Sequence, residues 1–196
     1  MMPAARESLL EAAYTALARR PWPTVRMVDV AASAGVSRQT LSNEFGGKDG
    51  LARALVRREA DGYLAGVDRA LTGPTEPRDR LTATAEWTTS SAQDNALVRA
   101  LLTGCWSERL PCPPLSAVPS ASAAPAQRRA DGPLPSPADL VRDRAVAVLA
   151  GPGASRADTA EPARSCELVV RLALSRVAAP PAGNRVADLV RGALHR

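Results

Sequence analysis

The chain has 196 residues, of which 45% are apolar and only 3% are aromatic. This length allows one medium-sized domain or two small ones, and the apolar content is sufficient for a core. Because Ala and Leu are strong helix formers and dominate the apolar residues, we predict an all-α fold. The 25 basic and 20 acidic residues give a net charge of +5, which is compatible with a nucleic-acid partner but does not indicate one.

The cysteines and the apolar runs indicate the cellular compartment. Cys105, Cys112 and Cys166 are odd in number and lack the spacing of metal ligands, so we expect no disulfide framework, no metal site and no cofactor. The N-terminus lacks an apolar signal core, and no apolar run approaches membrane-spanning length. These features predict a soluble cytoplasmic protein with no membrane partner.

Apolar residues recur at helical spacing along most of the chain. Pro21-Trp22-Pro23 ends the first predicted helix, Ser37 has the position of an N-cap for the third, and Gly46-Gly47 ends it. Residues 111–137 contain eight prolines, so we predict a flexible connection there. The predicted helices cover residues 5–20, 26–33, 38–45, 48–71, 77–91, 94–109, 138–150, 160–178 and 184–194.

Residues 25–48 have the pattern of a helix-turn-helix. Ala31 is small where two helices must cross closely, and Gly35 occupies the turn, where a positive φ is often required. Ser37 caps the second helix of the pair and presents its first turn outward, which is the geometry of a DNA recognition helix. Apolar residues flank the turn and anchor the end of this helix: Val36, Leu41 and Phe45.

This segment resembles the DNA-binding domain of the TetR family. The matching pieces are Asp29-Val30-Ala31, Ala34-Gly35-Val36-Ser37, Thr40-Leu41, Phe45 and Lys48-Asp49-Gly50-Leu51. The resemblance covers about residues 5–60 and implies a helix-turn-helix domain over 1–47, followed by a helical ligand-binding and dimerisation domain over 48–196. Ser42 stands where the family usually has Tyr, and Arg26 stands where Thr or Ser usually caps the helix.

Side-chain chemistry assigns roles at this predicted interface. Arg38 and Gln39 can make bidentate contacts to guanine and adenine, respectively. Ser42 and Asn43 could reach a base or the backbone, and Lys48 is placed for a phosphate. Any of these side chains could instead be an ordinary solvated group. The predicted DNA-binding residues are Arg26, Ser37, Arg38, Gln39, Thr40, Ser42, Asn43 and Lys48.

The resemblance also implies partners. We expect a homodimer that binds a pseudo-palindromic operator in double-stranded DNA and is released by a small-molecule effector. The helices near 138–150 and 160–178 would form the dimer seam. Arg171 and Arg176 could pair across its rim or be ordinary solvated charges. The predicted pocket residues are Tyr63, Trp87, Leu101, Cys105 and Trp106. The two tryptophans could instead simply fill a core that has few large side chains.

Two other classes of function compete with a transcriptional repressor. An enzyme has no candidate site, because the sequence shows no catalytic grouping or Gly-rich phosphate loop, and its one histidine is His195. A helical adaptor that no longer reads DNA stays open, since Ser42 and Arg26 depart from the family pattern. Salt-sensitive binding to DNA would separate a repressor from both alternatives.

Overall fold

A computed structural model describes residues 3–73, 75–112, 137–150, 160–179 and 185–194. Throughout these ranges the regular elements are helical, which confirms the predicted all-α fold. The helices are α1 (Pro3–Arg19), α2 (Met27–Ser33), α3 (Arg38–Phe45), α4 (Lys48–Thr72), α5 (Pro77–Asp94), α6 (Ala96–Thr103), α7 (Pro137–Ala150), α8 (Ala160–Ala178) and α9 (Val186–Leu194). Most of the predicted proline-rich connection, residues 113–136, lies outside the described residues, and so does His195.

The helices form two compact units. The first contains the described residues up to Glu59 together with residues 106–112, and the second contains Ala60–Cys105 and the described residues from Pro137 onward. The predicted domain boundary between residues 47 and 48 coincides with the start of α4 and stays a prediction. Within the described ranges, no helix is long and apolar enough to cross a lipid bilayer.

The first unit is built on the apolar faces of α1 to α4. These faces are predicted by the helical spacing of the sequence, and the structure confirms them, because each helix buries the aliphatic side chains of one stripe. Ala31 is only 2% exposed, as expected where α2 and α3 cross closely. The buried stripe residues include Leu9, Leu10 and Ala13 of α1, Val30 of α2, Leu41 of α3, and Leu51, Leu55 and Val56 of α4.

The second unit is centred on α5 and α8, which pack against each other. α7 packs against α8, and α9 packs against both α5 and α8. Its core consists mainly of aliphatic and small side chains, as the low aromatic content requires. Burial raises the pKa of the Cys166 thiol, which lies in this core, to about 11. Other core residues are Leu64, Val67, Leu71, Leu81, Ala85, Val98, Val141, Ala145, Val169, Ala173, Val186 and Val190.

The predicted helix over 94–109 is wrong at both ends. α6 begins after Asn95, whose Oδ1 accepts hydrogen bonds from the N–H groups of Leu97 at 2.9 Å and Val98 at 3.3 Å. It ends at Thr103 because Gly104 adopts a φ of +71°, in the left-handed region that terminates helices. Cys105 and Trp106 therefore lie in irregular chain beyond α6.

Candidate nucleic-acid interface

Local contacts fix both ends of α3. The Ser37 Oγ accepts a hydrogen bond from the N–H of Thr40 at 3.0 Å, which satisfies a backbone donor that the helix itself leaves free. At the other end, Gly46 has a φ of +73°, and its N–H donates to the carbonyl oxygen of Ser42 at 2.8 Å. The bounds Arg38–Phe45 confirm the predicted helix over 38–45.

α3 buries one face and leaves the other in solvent. Leu41 is fully buried and Phe45 is 7% exposed, so both anchor the helix as predicted. Gly35 lies in the turn before α3 with a φ of +69°, also as predicted. The exposed side chains include Arg38, Gln39, Ser42 and Asn43, while Thr40 is half-buried.

Two ion pairs connect the helix-turn-helix to α1 and to Arg20, the residue that follows it. The Arg6 Nη1 lies 2.8 Å from the Glu44 Oε1, and the Arg6 guanidinium lies 4.9 Å from the centroid of the Phe45 ring. The Arg20 Nη2 lies 2.9 Å from the Asp29 Oδ2 on α2. None of these contacts was predicted from the sequence, because partners as far as 38 residues apart give no local signal.

Arg26 does not cap α2 with its side chain. It occupies the N-cap position with extended backbone, and its carbonyl oxygen accepts the N–H groups of Asp29 at 3.1 Å and Val30 at 3.2 Å. The side chain is exposed and makes no capping hydrogen bond. The departure from a capping Thr or Ser therefore leaves α2 without a side-chain cap, and it places a guanidinium in solvent at the start of the helix.

Lys48 connects the start of α4 to the 3-10 turn Trp22–Thr24. Its Nζ donates to the carbonyl oxygen of Pro23 at 2.9 Å and lies 5.6 Å from the centroid of the Trp22 ring. The backbone N–H of Trp22 in turn donates to the carbonyl oxygen of Arg109 at 2.8 Å. These contacts give Lys48 a structural partner in addition to its predicted role toward phosphate.

Two of the predicted base-reading residues contact each other. The Gln39 Nε2 donates to the Asn43 Oδ1 at 2.7 Å, across one turn of the exposed face of α3. The spacing of four residues is the signal that could have revealed this pair, because side chains at i and i+4 are neighbours on a helix.

The predicted pocket residues of the second unit have different surroundings. Trp87 donates its Nε1–H to the carbonyl oxygen of Tyr63 at 3.0 Å, and its ring lies against Gly66, where a Cβ would overlap it. The Tyr63 hydroxyl lies 2.9 Å from that of Thr88, and burial raises the Tyr63 pKa to about 12. Leu101 is half-buried and Cys105 is exposed. Trp87 thus packs α5 against α4, as the core-filling alternative requires.

Trp106 belongs to the first unit and is half-buried there. A groove of about 1010 Å³ in the same unit follows α1 and the end of α2, and Trp106 does not line it. Glu7, Glu11, Arg19 and Arg20 contribute charged side chains to its wall. Among the described residues, no group of three or more His, Cys, Asp or Glu side chains is arranged to hold a metal ion.

A recognition helix that is capped, anchored and exposed defines a helix-turn-helix protein of the DNA-binding class. Comparison with known proteins finds a family match over the N-terminal part of the chain. Residues 9–55 match the model of the family described as bacterial regulatory proteins, tetR family. Residues 9–55 are thus similar to the DNA-binding domain of the TetR family.

Individual regulators resemble the chain over part or all of its length. The HTH-type transcriptional regulator AlkX of Mycobacterium tuberculosis is 42% identical over 66 residues, which are 34% of this chain and 31% of the relative. The match thus spans about a third of that relative's length. The TetR family repressor AlkX of Dietzia sp. strain DQ12-45-1b, implicated in biodegradation of n-alkanes, is 21% identical with a TM-score of 0.55, covering 100% of this chain and 92% of its own. A tetR-family regulator of Streptomyces coelicolor is 17% identical with a TM-score of 0.57, covering 100% and 79%.

Proposed function

We propose that this protein is a ligand-responsive transcriptional repressor that binds a pseudo-palindromic operator as a homodimer and is released by a small-molecule effector. The observation that carries the proposal is the exposed face of α3, where Arg38 and Gln39 stand in the first turn of a capped helix. These two side chains have the donors and acceptors that read base edges in the major groove.

Contacts to the DNA backbone accompany base reading in this proposal. Arg26 places an exposed guanidinium at the start of α2, beside the helix that reads the bases. Ser37 and Lys48 are proposed phosphate ligands, and each also has a structural contact in the free protein. Phosphate contacts set the position of a protein on the duplex, whereas base contacts set its sequence preference.

The dimer is proposed to form through α7 and α8. α8 buries Cys166, Val169 and Ala173 within its own unit and leaves Leu168 42% exposed on another side. Apolar residues exposed singly are common on protein surfaces, so Leu168 only marks where the proposed seam would lie, and the dimer itself is proposed from the resemblance to the TetR family. Arg171 pairs with Glu167 of the same helix, with 2.6 Å between Nη2 and Oε1, so its charge is partly balanced before any partner binds.

The effector is proposed to bind in the second unit beside Tyr63, Trp87 and Leu101. Movement of Trp87 would break the Nε1–H bond to the Tyr63 carbonyl oxygen and so loosen α5 from α4. α4 begins at Lys48, directly after the helix-turn-helix, so a change in this helix would reach the recognition helix. Cys105 stays a member of the proposed set, although it lies beyond the end of α6. Trp106 belongs to the first unit, so its predicted pocket role is not part of this proposal.

A selection experiment tests the proposal. The purified full chain is mixed with a pool of randomised double-stranded DNA, and the bound duplexes are sequenced. The proposal expects an enriched sequence with two inverted half-sites about 34–36 Å apart, one helical turn of DNA. Mass spectrometry of the purified protein would identify a co-purified effector, which should release the selected duplex. Enrichment of no sequence would overturn the repressor function and favour the adaptor.

A further inference from the structure

We propose that Asn43 is a positioning residue for base recognition, whose carboxamide oxygen fixes the Gln39 carboxamide in the orientation that reads an adenine. The inference rests on the proposed DNA-binding function and deepens it by assigning a base pair to one side chain. Its structural basis is the hydrogen bond from the Gln39 Nε2 to the Asn43 Oδ1, 2.7 Å long, on the exposed face of α3.

The hydrogen-bonding capacity of Gln39 allows it to bind Asn43 and a base at once. A primary carboxamide has two N–H donors and one oxygen that accepts. Asn43 takes one of the two hydrogens, which leaves one N–H and the Oε1 of Gln39 for DNA. Adenine presents an acceptor at N7 and a donor at N6 in the major groove, and this remaining pair complements both.

The contact with Asn43 restricts the Gln39 side chain before DNA binds, and this favours binding. A free glutamine side chain loses rotamer freedom when it binds a base, at a cost in affinity of about two- to tenfold. Because Asn43 already restricts Gln39 before DNA arrives, less of that cost falls on binding. The backbone beneath the pair is also fixed, since Leu41 is fully buried between the two residues.

Asn43 has a different role in this arrangement from the direct contact that its position alone suggests. Its Oδ1 accepts from Gln39 through one of its two lone pairs, and its Nδ2 carries two hydrogens that can approach DNA. Those hydrogens suit a phosphate oxygen, which carries no sequence information. In this proposal the base preference belongs to Gln39, and Asn43 affects that preference through Gln39.

The test uses the full chain as wild type and four variants: Gln39→Ala, Asn43→Leu, Asn43→Asp and the double variant Gln39→Ala/Asn43→Leu. The best duplex from the randomised pool is remade with each of the four base pairs at every position, and affinities are compared by competition. Leucine has nearly the shape of asparagine but accepts no hydrogen bond, whereas aspartate keeps the acceptor. Thermal unfolding monitored by circular dichroism shows that each variant is folded.

Gln39→Ala should abolish an adenine preference at one position of each half-site, a loss of about fivefold or more. Asn43→Leu should lower the same preference by about two- to tenfold and leave other positions unchanged. Asn43→Asp should keep the adenine preference, since the carboxylate still accepts from the Gln39 Nε2. This variant should bind every duplex more weakly, because phosphates repel its negative charge. The double variant should match Gln39→Ala at that position.

Several results would overturn the inference while leaving the DNA-binding function intact. These are an unchanged preference in Asn43→Leu, a loss at a different position, or the same loss in Asn43→Asp as in Asn43→Leu. A further loss when Asn43→Leu is added to Gln39→Ala would likewise show that Asn43 reads a base itself. Failure of the wild type to enrich any sequence is a separate result, and it would overturn the proposed function together with this inference.

Discussion

The Nζ of Lys48 donates a hydrogen bond to the carbonyl oxygen of Pro23 at 2.9 Å, across 25 residues of sequence. The same ammonium lies over the Trp22 ring. This single side chain therefore ties the first residue of α4 to the turn between α1 and α2. Lys48, for which the family resemblance predicts a contact to DNA, thus also has structural contacts within the helix-turn-helix unit.

Lys48→Ala should lower the free energy of unfolding by about 1–2 kcal/mol, because both a hydrogen bond and a cation–π contact are lost. It should also weaken binding to all DNA sequences alike, since a phosphate contact carries no base preference. Thermal unfolding and competition binding measure the two effects. Lys48→Arg is the control, as its guanidinium keeps a positive donor at this position. A change in base preference in Lys48→Ala would contradict the assignment of Lys48 as a phosphate ligand.

Arg38→Ala should instead relax base preference at one position of each half-site. The guanidinium is exposed in the first turn of α3, where it can reach the O6 and N7 of guanine. We expect a loss of discrimination of about 1–3 kcal/mol at that position. Competition among the four base pairs measures it. Equal loss of preference in Arg38→Ala and Lys48→Ala would refute the division into base-reading and phosphate-binding residues.

Ser37→Ala should lower the free energy of unfolding by about 0.5–2 kcal/mol, the usual cost of losing an N-cap. The substitution removes the hydrogen bond that the Thr40 N–H donates to the Ser37 Oγ. Ser42→Ala makes the same chemical change at an exposed position within α3 and should cost no more than about 0.5 kcal/mol. Urea denaturation compares the two variants. Equal changes in the free energy of unfolding would mean that the Ser37 cap does not stabilise the protein.

Two glycines of α4 provide a matched pair in the second unit. A Cβ at Gly66 would overlap the Trp87 ring, whereas a Cβ at Gly62 meets no atom within 4 Å. Gly66→Ala should therefore destabilise the protein by about 1–3 kcal/mol through overpacking. Gly62→Ala should stabilise it by about 0.5–1 kcal/mol, because alanine is the better helix former. Opposite shifts in melting temperature are expected, and shifts of the same sign would contradict the packing of Trp87.

Leu168→Glu should shift the monomer–dimer equilibrium toward the monomer, since each buried leucine contributes about 1.5–3 kcal/mol. Leu189→Glu is the control, because Leu189 is similarly exposed (36%, against 42% for Leu168) but lies on α9, outside the proposed seam. Sedimentation velocity over a range of concentrations measures the equilibrium. If Leu168→Glu dimerises as strongly as the wild type, or if both variants dissociate equally, the proposed seam is excluded.

Features that depend on neighbouring residues could be predicted from the sequence. The cap at Ser37, the end at Gly46 and the buried stripe of α4 follow from local rules, and the structure has each of them. The overlong helix over 94–109 shows the limit of periodicity, which continued past Gly104 although glycine is a common helix terminator. The contact of Gln39 with Asn43 was within reach of the same local rules, because i and i+4 are neighbours.

Long-range contacts could not be predicted in this way. The pairing of Arg6 with Glu44 and of Lys48 with Pro23 depends on how the helices pack, which one sequence does not reveal. Trp87 shows the same difficulty within a core. An isolated tryptophan in a helix fits either a ligand pocket or a packed interior, and its contacts with Tyr63 and Gly66 could not be foreseen from one sequence.

Binding of the wild-type chain to its selected duplex over a range of salt concentrations tests the central claim most directly. A dimer that neutralises several phosphates should lose affinity steeply, by orders of magnitude, between about 50 and 200 mM salt, with a linear dependence on the logarithm of the salt concentration. An unrelated duplex should bind far more weakly at every concentration. Binding that is insensitive to salt, or equal for the two duplexes, would contradict a sequence-reading repressor.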